Sequence, residues 1–530
     1  MTRAFDWTLP YPSRRQPIFA QSVVATSQPL ATQAGIAMLM RGGNAVDAAL
    51  ATAITLTVVE PCSNGIGSDL FAILWDGRQL VGLNASGRAP SAWSPTRFAG
   101  RTAMPQRGWD TVTIPGAVSG WVALSERYGN LPFADLFAPA IRYARDGYLV
   151  SPVVAEKWRA AAAILPHDLG WDDHFMPKGH PPLPGEQFAS ADMASTLQKI
   201  ADSRGEAFYR GELAAAMVAH SRANGGAHSS ADFAAHACDW VTTLAVDYRD
   251  VTVHEIPPNG QGIAALIALG ILANFDVSAD PPDSVASQHL QIEAMKLGFA
   301  DAHRFVADLR SMEIAPEALL DRTYLASRAK LIDRSRAQNF GAGAPPRGGT
   351  VYLCASDANG MMVSLIQSNY MGFGSGVVVP GTGISLQNRG AGFVLSAGHP
   401  NEVAGGKRPF HTIIPGFVTR NGAPLATIGV MGGPIQPPGH VQMLVRMFDY
   451  EMNPQAALDA PRWKVNADQS IDLEASASSE LRGGLIALGH RLASVPDSYL
   501  DFGAGQCIVK IDGGYVSASD CRRDGQAAGF

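Results

Sequence analysis

One stretch constrains this chain more than any other: residues 338–349, reading QNFGAGAPPRGG, where Gly, Ala and Pro crowd together. Helix and ladder formation are both discouraged there, so the stretch reads as a flexible tether that ends at Thr350. Before it, apolar residues recur with helical spacing over 31–40, 44–59, 133–146, 193–201, 211–223, 262–272 and 285–309. Asn44 and Asp47 suit the start of the second of these helices. Short β-like runs, 70–75 and 251–255, lie between them, and the turn dipeptide Asp76-Gly77 closes the first. After the tether the pattern changes to strands, at 351–356, 361–367, 393–396, 413–418, 426–430 and 507–511. Helices followed by a strand-rich half predict a layered α+β fold. No linker, low-complexity tract or repeat divides the remainder into independent units.

Composition narrows the function. The 41 Lys+Arg and 47 Asp+Glu leave a net charge of −6 without any block of like charges, which gives no footprint for nucleic acid or anionic membrane. The most apolar window, 48–59, is interrupted by Thr52, Thr55 and Thr57 and falls short of the roughly 18 residues that span a bilayer. Residues 1–21 carry Asp6 and several prolines and lack the succession of a secretory signal. A cytoplasmic protein with no nucleic-acid or membrane partner is expected. Cys62, Cys238, Cys354, Cys507 and Cys521 are scattered and odd in number, and read as reduced packing residues.

Familiar catalytic strings fail. His254-Glu255 has no second histidine at the zinc-binding spacing, Gly406-Lys407 is followed by Arg408 rather than Ser or Thr, and neither Gly67-Ser68 nor Gly374-Ser375 has nucleophile-elbow spacing. What remains is Gly348-Gly349-Thr350, a threonine at the end of the tether and the start of a strand. If the bond between Gly349 and Thr350 is cut, one residue carries both a hydroxyl and an α-amine, and the amine serves as base for the hydroxyl. The same three residues also read as an ordinary turn before a strand. Gly432-Gly433, after the apolar run 426–431, offers backbone N–H groups for an oxyanion, or simply a turn.

Ordered strings along nearly the whole chain then carry a resemblance: GGNAVDAALA from Gly42, VVEPCSNGIG from Val58, TIPGAVSGW from Thr113, APAIRYARDGYLVS from Ala138, EAFYRGELA from Glu206, PPNGQGI from Pro257, EAMKLGFADAHR from Glu293 and the region from Thr350. The chain resembles the γ-glutamyltranspeptidase family of N-terminal nucleophile hydrolases. The resemblance implies a four-layer αββα sandwich made as one precursor. It implies self-cleavage into a large subunit, 1–349, and a small one, 350–530, which stay together as a heterodimer or a dimer of heterodimers in one αββα domain. No metal or organic cofactor is implied. Carried over by position, Thr350 matches the nucleophile, Gly432 and Gly433 the oxyanion pair, and Ser368 a threonine that contacts the nucleophile's amine.

The departures concern the substrate. The family's R-E-x-A-P string is Ser86-Gly87-Arg88-Ala89-Pro90 here, with its arginine displaced by two positions. The Asn and Asp that grip an α-amine correspond to Tyr370 and Gly392, and the paired serines to His411 and Thr412. Replacing a carboxylate that faces an ammonium by glycine leaves a buried charge unpaired, so efficient γ-glutamyl transfer is not expected. The replacements resemble the branch that includes oxamate amidohydrolase. Arg88 and Arg389 become candidate forks for a small substrate carboxylate, with Tyr370, His411 and Thr412 lining the pocket; for each arginine an ordinary ion pair, and for His411 a satisfied core histidine, are equally open. The expected activity is hydrolysis of a small carboxylate-bearing amide through an acyl ester on Thr350. A glutathione hydrolase or γ-glutamyltransferase, and an uncleaved non-catalytic relative, remain alternatives, the latter because Val351 and Tyr352 replace the threonine and histidine usual after the nucleophile. Ser68 and Asp69 interrupt a run that is usually all glycine, which reads as a reshaped pocket rim or equally as a loop difference.

Overall fold

In the strand that begins beside the tether, Val351, Leu353 and Ala355 enter one core while Tyr352 and Cys354 enter another. That alternation belongs to a strand covered on both faces. The computed structural model describes residues 14–340, 349–493 and 502–530; Gly348 and most of the expected tether lie outside the described residues.

Strands β1 (Ile18–Ala20), β2 (Val23–Thr26), β3 (Asp69–Trp75), β4 (Leu80–Ala85), β5 (Asp239–Val241), β6 (Leu244–Tyr248) and β7 (Val251–Glu255) precede the tether. Strands β8 (Gly349–Ser356), β9 (Met362–Tyr370), β10 (Gly416–Arg420), β11 (Ala423–Met431), β12 (Ala504–Ile511), β13 (Gly514–Ser519) and β14 (Gln526–Gly529) follow it. They form two seven-stranded sheets, in the orders β14-β2-β8-β9-β3-β4-β5 and β1-β13-β12-β11-β10-β7-β6. Every neighbouring pair is antiparallel. Phe71, Ile73, Tyr352 and Ile366 of the first sheet meet Phe417, Met431 and Ile508 of the second in the central core.

Helices cover the outer faces. Helices α1 (Pro29–Met40) and α2 (Ala45–Val59) pack with Leu70, Ala72, Leu353 and Leu365 on the first sheet. Helices α3 (Gly262–Leu272), α4 (Val285–Phe305) and α5 (Gln436–Phe448) pack with Val253, Val418, Ile428 and Cys507 on the second. The result is the four-layer αββα sandwich that the sequence leads one to expect. The start of α2 is fixed by Asn44, whose side chain accepts from the N–H of Val46 (3.0 Å) and Asp47 (3.1 Å) while Asp47 accepts from Asn44 N–H at 2.9 Å. This reciprocal pair satisfies donors that a helix end otherwise leaves open. Every residue of α2 is buried, and the hydroxyls of Thr52 and Thr57 donate within the helix to the carbonyls of Ala48 and Ile54, both at 2.7 Å.

Several expectations need correction. The strands at 70–75 and 251–255 are present, but five more precede the tether in the two sheets, because chain from both sides of Thr350 interleaves in both. Residues 393–396 form no strand: Val394 makes an isolated bridge to Glu402, and Phe393 fills a satellite core with Trp93, Phe98 and Val403. The strand expected at 413 begins at Gly416, and the long helix from Val285 ends at Phe305, with a separate 3-10 turn at Leu309–Ser311. The 133–146 helix opens as a 3-10 turn, Phe133–Phe137, before Ala138–Asp146. Helix α5 was not expected at all; Pro437 and Pro438 sit in its first turn, where a missing N–H costs nothing.

The edge of the second sheet carries a buried ionic cluster. Asp520 accepts from Arg462 Nη2 (2.5 Å), Arg522 Nη1 (3.1 Å) and Gly505 N–H (2.8 Å), and Arg522 also pairs with Glu474 at 2.6 Å. Burial alone would raise the Asp520 carboxyl, but Arg462, Arg522 and two backbone N–H groups hold it down at about 2. Its contribution to stability is therefore complete above the ordinary carboxylate range and is lost as pH falls through about 2. Asp520→Ala is expected to lower the unfolding free energy by roughly 3–5 kcal/mol in neutral denaturant titrations, since it leaves the buried Arg462 without its carboxylate and takes one of two from Arg522.

Candidate active site

The register of the central sheet slips at the point where the tether ends. Gly349 pairs with Tyr370 but Val351 pairs with Gln367, so Thr350 faces two residues of β9, Ser368 and Asn369. Bulges of this kind re-aim a side chain. Thr350 is only 1% exposed. Its Oγ1 lies 3.2 Å from Ser368 Oγ, and Ser368 Oγ also accepts from Tyr370 N–H at 2.7 Å. In the uncut chain the contact with Ser368 is thus hydroxyl to hydroxyl.

A third group reaches the same oxygen. Gln436 Nε2 donates to Thr350 Oγ1 at 3.4 Å, and its orientation is set by Ile414 N–H, which donates to Gln436 Oε1 at 3.0 Å. Gln436 opens α5, three residues beyond Gly433. Between strand and helix, Gly432 and Gly433 take φ values of +123° and +70°, a left-handed region that favours glycine. A Cβ on Gly432 would stand 2.7 Å from Ile435 Cγ2 and 3.0 Å from Gly503 Cα. The Gly433 carbonyl accepts from Gln261 Nε2 at 3.0 Å. Strand, paired glycines and helix follow one another directly, so the turn that carries Gly432 and Gly433 leads into the residue whose side chain reaches Thr350.

Beneath β11, His440 Nε2 accepts from Val430 N–H at 3.2 Å, which leaves its Nδ1–H for Glu255 Oε1 at 2.7 Å. Both side chains are fully buried. Burial pushes the Glu255 carboxyl up, against the pull of His440. This pair ties the last residues of β11 to α5 just before the glycines. The sequence reading weighed His254 and Glu255 only for zinc; in the strand His254 faces the other way, between Thr243 (3.1 Å) and Thr419 (2.9 Å).

A second buried group of charges adjoins the hydroxyls. Arg389, 1% exposed, stacks 4.7 Å over the ring of Tyr370, a residue held at φ +79°, and donates from Nη1 to Thr412 Oγ1 at 2.8 Å. Its Nε and Nη2 are buried without a hydrogen-bond partner among the described residues. Burial lowers the guanidinium to about 10, opposed by Asp69 and Tyr370. Asp69, the β3 residue paired with Ser368, accepts from His411 Nε2 at 3.1 Å and from the N–H groups of Gly116 (3.0 Å) and Gly87 (3.2 Å). Burial raises its carboxyl to about 7, in spite of Arg389, the two backbone donors and Arg408.

The other expected pocket residues are employed differently. His411 Nδ1 accepts from Ile413 N–H at 3.4 Å, so both ring nitrogens are occupied and the ring orients Asp69 rather than facing outward. Burial and the cations Arg389 and Arg408 hold it well below the ordinary histidine value. The Arg88 guanidinium is committed to Asp308 at 2.7 Å and Asp239 at 3.8 Å, within a network that also includes Arg310 and Arg408. It does not join Arg389. Gln436 and the Glu255–His440 pair are the site groups that sequence reasoning did not assign, and Asp69, expected at a pocket rim or in a variable loop, instead lies fully buried in β3. Only Gln436 had a local signal, its place just after the double glycine.

Among the described residues, His289, Glu293 and His490 form a buried grouping with metal-ligand chemistry. Lys296 already fills it. Its Nζ donates to Glu293 Oε1 (2.7 Å), Gln338 carbonyl (3.0 Å) and His490 Nδ1 (3.4 Å). His490 Nε2 then donates to His289 Nδ1 at 2.7 Å, and His289 Nε2 to the Asp333 carbonyl at 3.0 Å. With Glu293 Oε2 accepting from Gln338 N–H at 3.0 Å, the cluster holds both backbone groups of Gln338, where the tether begins.

Comparison with known proteins follows from this geometry. The sequence profile described as Gamma-glutamyltranspeptidase matches residues 31–530. The fold superposes on the crystal structure of cephalosporin acylase from Bacillus halodurans with a TM-score of 0.95 and 46% sequence identity, covering 100% of this chain and 99% of that one. The glutathione hydrolase-like YwrD proenzyme of Bacillus subtilis (strain 168) is 34% identical over 97% of this chain and 99% of its own length. The oxamate amidohydrolase proenzyme of Klebsiella pneumoniae is 34% identical over 94% and 97%.

A buried cation with two open donors costs stability. At pH 5, well below the value to which burial raises Asp69, Arg389→Met is expected to raise the unfolding free energy by about 1–4 kcal/mol in urea titrations. A loss of stability would mean that the guanidinium holds the pocket together.

Proposed function

The chain belongs to the γ-glutamyltranspeptidase family of amide hydrolases, and from that premise we propose that it is an autoprocessed threonine amidohydrolase acting on a small carboxylate-bearing amide, as oxamate is. The observation that carries the reading is Arg389: a buried guanidinium whose open Nε and Nη2 adjoin Tyr370, the residue paired with Gly349. A planar carboxylate completes such a fork with two parallel charge-assisted bonds.

Maturation begins when Thr350 Oγ attacks the Gly349 carbonyl, aided by Ser368 and Gln436, which fix the hydroxyl from two sides. The peptide becomes an ester, and water cleaves it to leave a carboxylate on Gly349 and a free α-amine on Thr350. In turnover that amine takes the hydroxyl proton, Oγ bonds to the substrate's acyl carbon, and the N–H groups of Gly432 and Gly433 hold the oxyanion. The C–N bond breaks as the amine returns its proton to the leaving nitrogen. Water, deprotonated by the same amine, then hydrolyses the acyl ester. Residues 1–349 and 350–530 stay associated as large and small subunits, because each sheet draws strands from both.

The γ-glutamyl alternative requires a carboxylate for the substrate's α-ammonium. Asp69 is the acid at hand, yet three donors already occupy it and Arg389 and Arg408 act on it. That favours an acyl group without an ammonium. The likeness to a cephalosporin acylase keeps larger N-acyl amides in the substrate screen.

Intact mass under denaturing conditions tests the first step: two fragments meeting at Gly349 and Thr350 are expected, and a single chain for Thr350→Ala. A single wild-type species would return the non-catalytic alternative. Ser368→Ala and Gln436→Ala should each slow maturation and turnover by about 10-fold or more, a cost of roughly 1–2 kcal/mol for a hydrogen bond to the reacting oxygen. Arg389→Ala should cost roughly 2–4 kcal/mol in kcat/KM for a carboxylate-bearing amide and much less for an uncharged one. Acceptor-stimulated turnover of a γ-glutamyl anilide exceeding that of oxamate would overturn the substrate assignment.

A further inference from the structure

Asp69 has no step in the mechanism above, yet it pairs across the sheet with Ser368 and bonds His411, the chain neighbour of the Thr412 that holds Arg389. The Asp69 side chain is fully buried. The groups acting on it come from every surrounding element: Gly116 and Gly87 N–H, His411, Arg389, Arg408 and, more weakly, the Tyr209 phenol. His411 is fixed as a neutral donor by Ile413 N–H, so it brings no charge. Among the described residues Arg389 has no carboxylate within the 4.0 Å of an ion pair, and of the charges acting on Asp69 it has the largest effect.

We propose that Asp69 is the resident counter-charge of Arg389, and that a ligand carboxylate docking on the open Nε and Nη2 of Arg389 is accompanied by uptake of one proton on Asp69. This rests on the carboxylate-bearing substrate proposed above. Two carboxylates sharing one guanidinium in a water-poor pocket leave an excess negative charge, and protonating the resident acid removes it. The resident acid is suited to that exchange, because burial already brings its carboxyl to about 7. Below that pH Asp69 is neutral and the ligand binds without a proton. Above it Asp69 is ionised, so each binding event takes up a proton and affinity falls as pH rises, by up to about tenfold per pH unit. Asp69 thereby sets the charge that the pocket accepts: one carboxylate and one proton together.

The test uses the purified enzyme with oxalate, the product of oxamate hydrolysis, which stays a dianion from about pH 6 to 9. Expected are an inhibition constant that rises steeply above neutral pH, calorimetric proton uptake approaching one per oxalate in buffers of different ionisation enthalpy, and a pH-flat constant for Asp69→Asn. Oxalate binding with no pH dependence or no proton uptake in the wild type overturns the role of Asp69. Should the Asn variant fail to fold or mature, the calorimetry is repeated on the uncut Thr350→Ala chain, which lacks the α-amine that also titrates at about 8 in the mature enzyme; proton uptake kept there supports Asp69, and uptake lost there overturns its role. Absence of any oxalate binding together with absence of oxamate turnover overturns the carboxylate-bearing substrate itself, and with it this inference.

Discussion

Burial of both sheets on both faces governs this molecule. The nine residues of β9 are all buried, and β8 is hydrogen-bonded between β2 and β9 from Leu353 onward. A strand in that position has its register fixed by apolar side chains alternating into two different cores, so a one-residue slip would exchange every one of them. Thr350 lies at the start of this strand, where the pairing slips against β9. The Thr350 hydroxyl is thus held at the start of a strand buried on both faces, while the peptide bond before it adjoins the Gly- and Pro-rich tether. A cut there releases one end of the tether and leaves the ladder of β8 with β2 and β9 intact.

The same burial explains the polar groups around Thr350. A hydroxyl removed from water is costly unless it is hydrogen-bonded, and Thr350, Ser368, Tyr370 N–H and Gln436 form a connected set. Gln436 in turn depends on the strand-to-helix turn. His440 with Glu255 fastens the end of β11 to α5, and Gln261 holds the Gly433 carbonyl. Positive φ at two consecutive glycines is sustained because both flanking elements are anchored.

Patterns with local causes were legible in the sequence. The Asn44–Asp47 capping pair, the wholly apolar α3 and the alternating strands after Thr350 each follow from near neighbours in the chain. Residues 393–396 look like a strand because their side chains are apolar, but those side chains fill a satellite core around Trp93, where no sheet edge is available. Helix α5 was hidden by Pro437 and Pro438, which argue against a helix only when they lie beyond its first turn. Thr350 and the Gly432–Gly433 pair stood out by local chemistry beside an ordinary turn reading, and Ser368 was singled out only through the family resemblance. The partners of the pocket residues were not legible: Asp69 meets His411, and Arg88 meets Asp308, across hundreds of residues, and nothing in the local sequence says which arginine finds an acid first.

That difference between the two arginines is the strongest chemical signal in the pocket. Arg88 is half-exposed and paired with aspartates, so its charge is settled by the protein itself. Arg389 is almost fully buried, has one hydroxyl partner and keeps two donors open. A protein that only needed to be stable would replace such a group with an apolar side chain. Arg389 stacks on Tyr370, a residue at positive φ, and Asp69 is the acid that acts on the guanidinium. The nucleophile's surroundings are complete within the chain and those of Arg389 are not. On the function proposed above, the first is the centre that reacts and the second is the place a substrate carboxylate would complete.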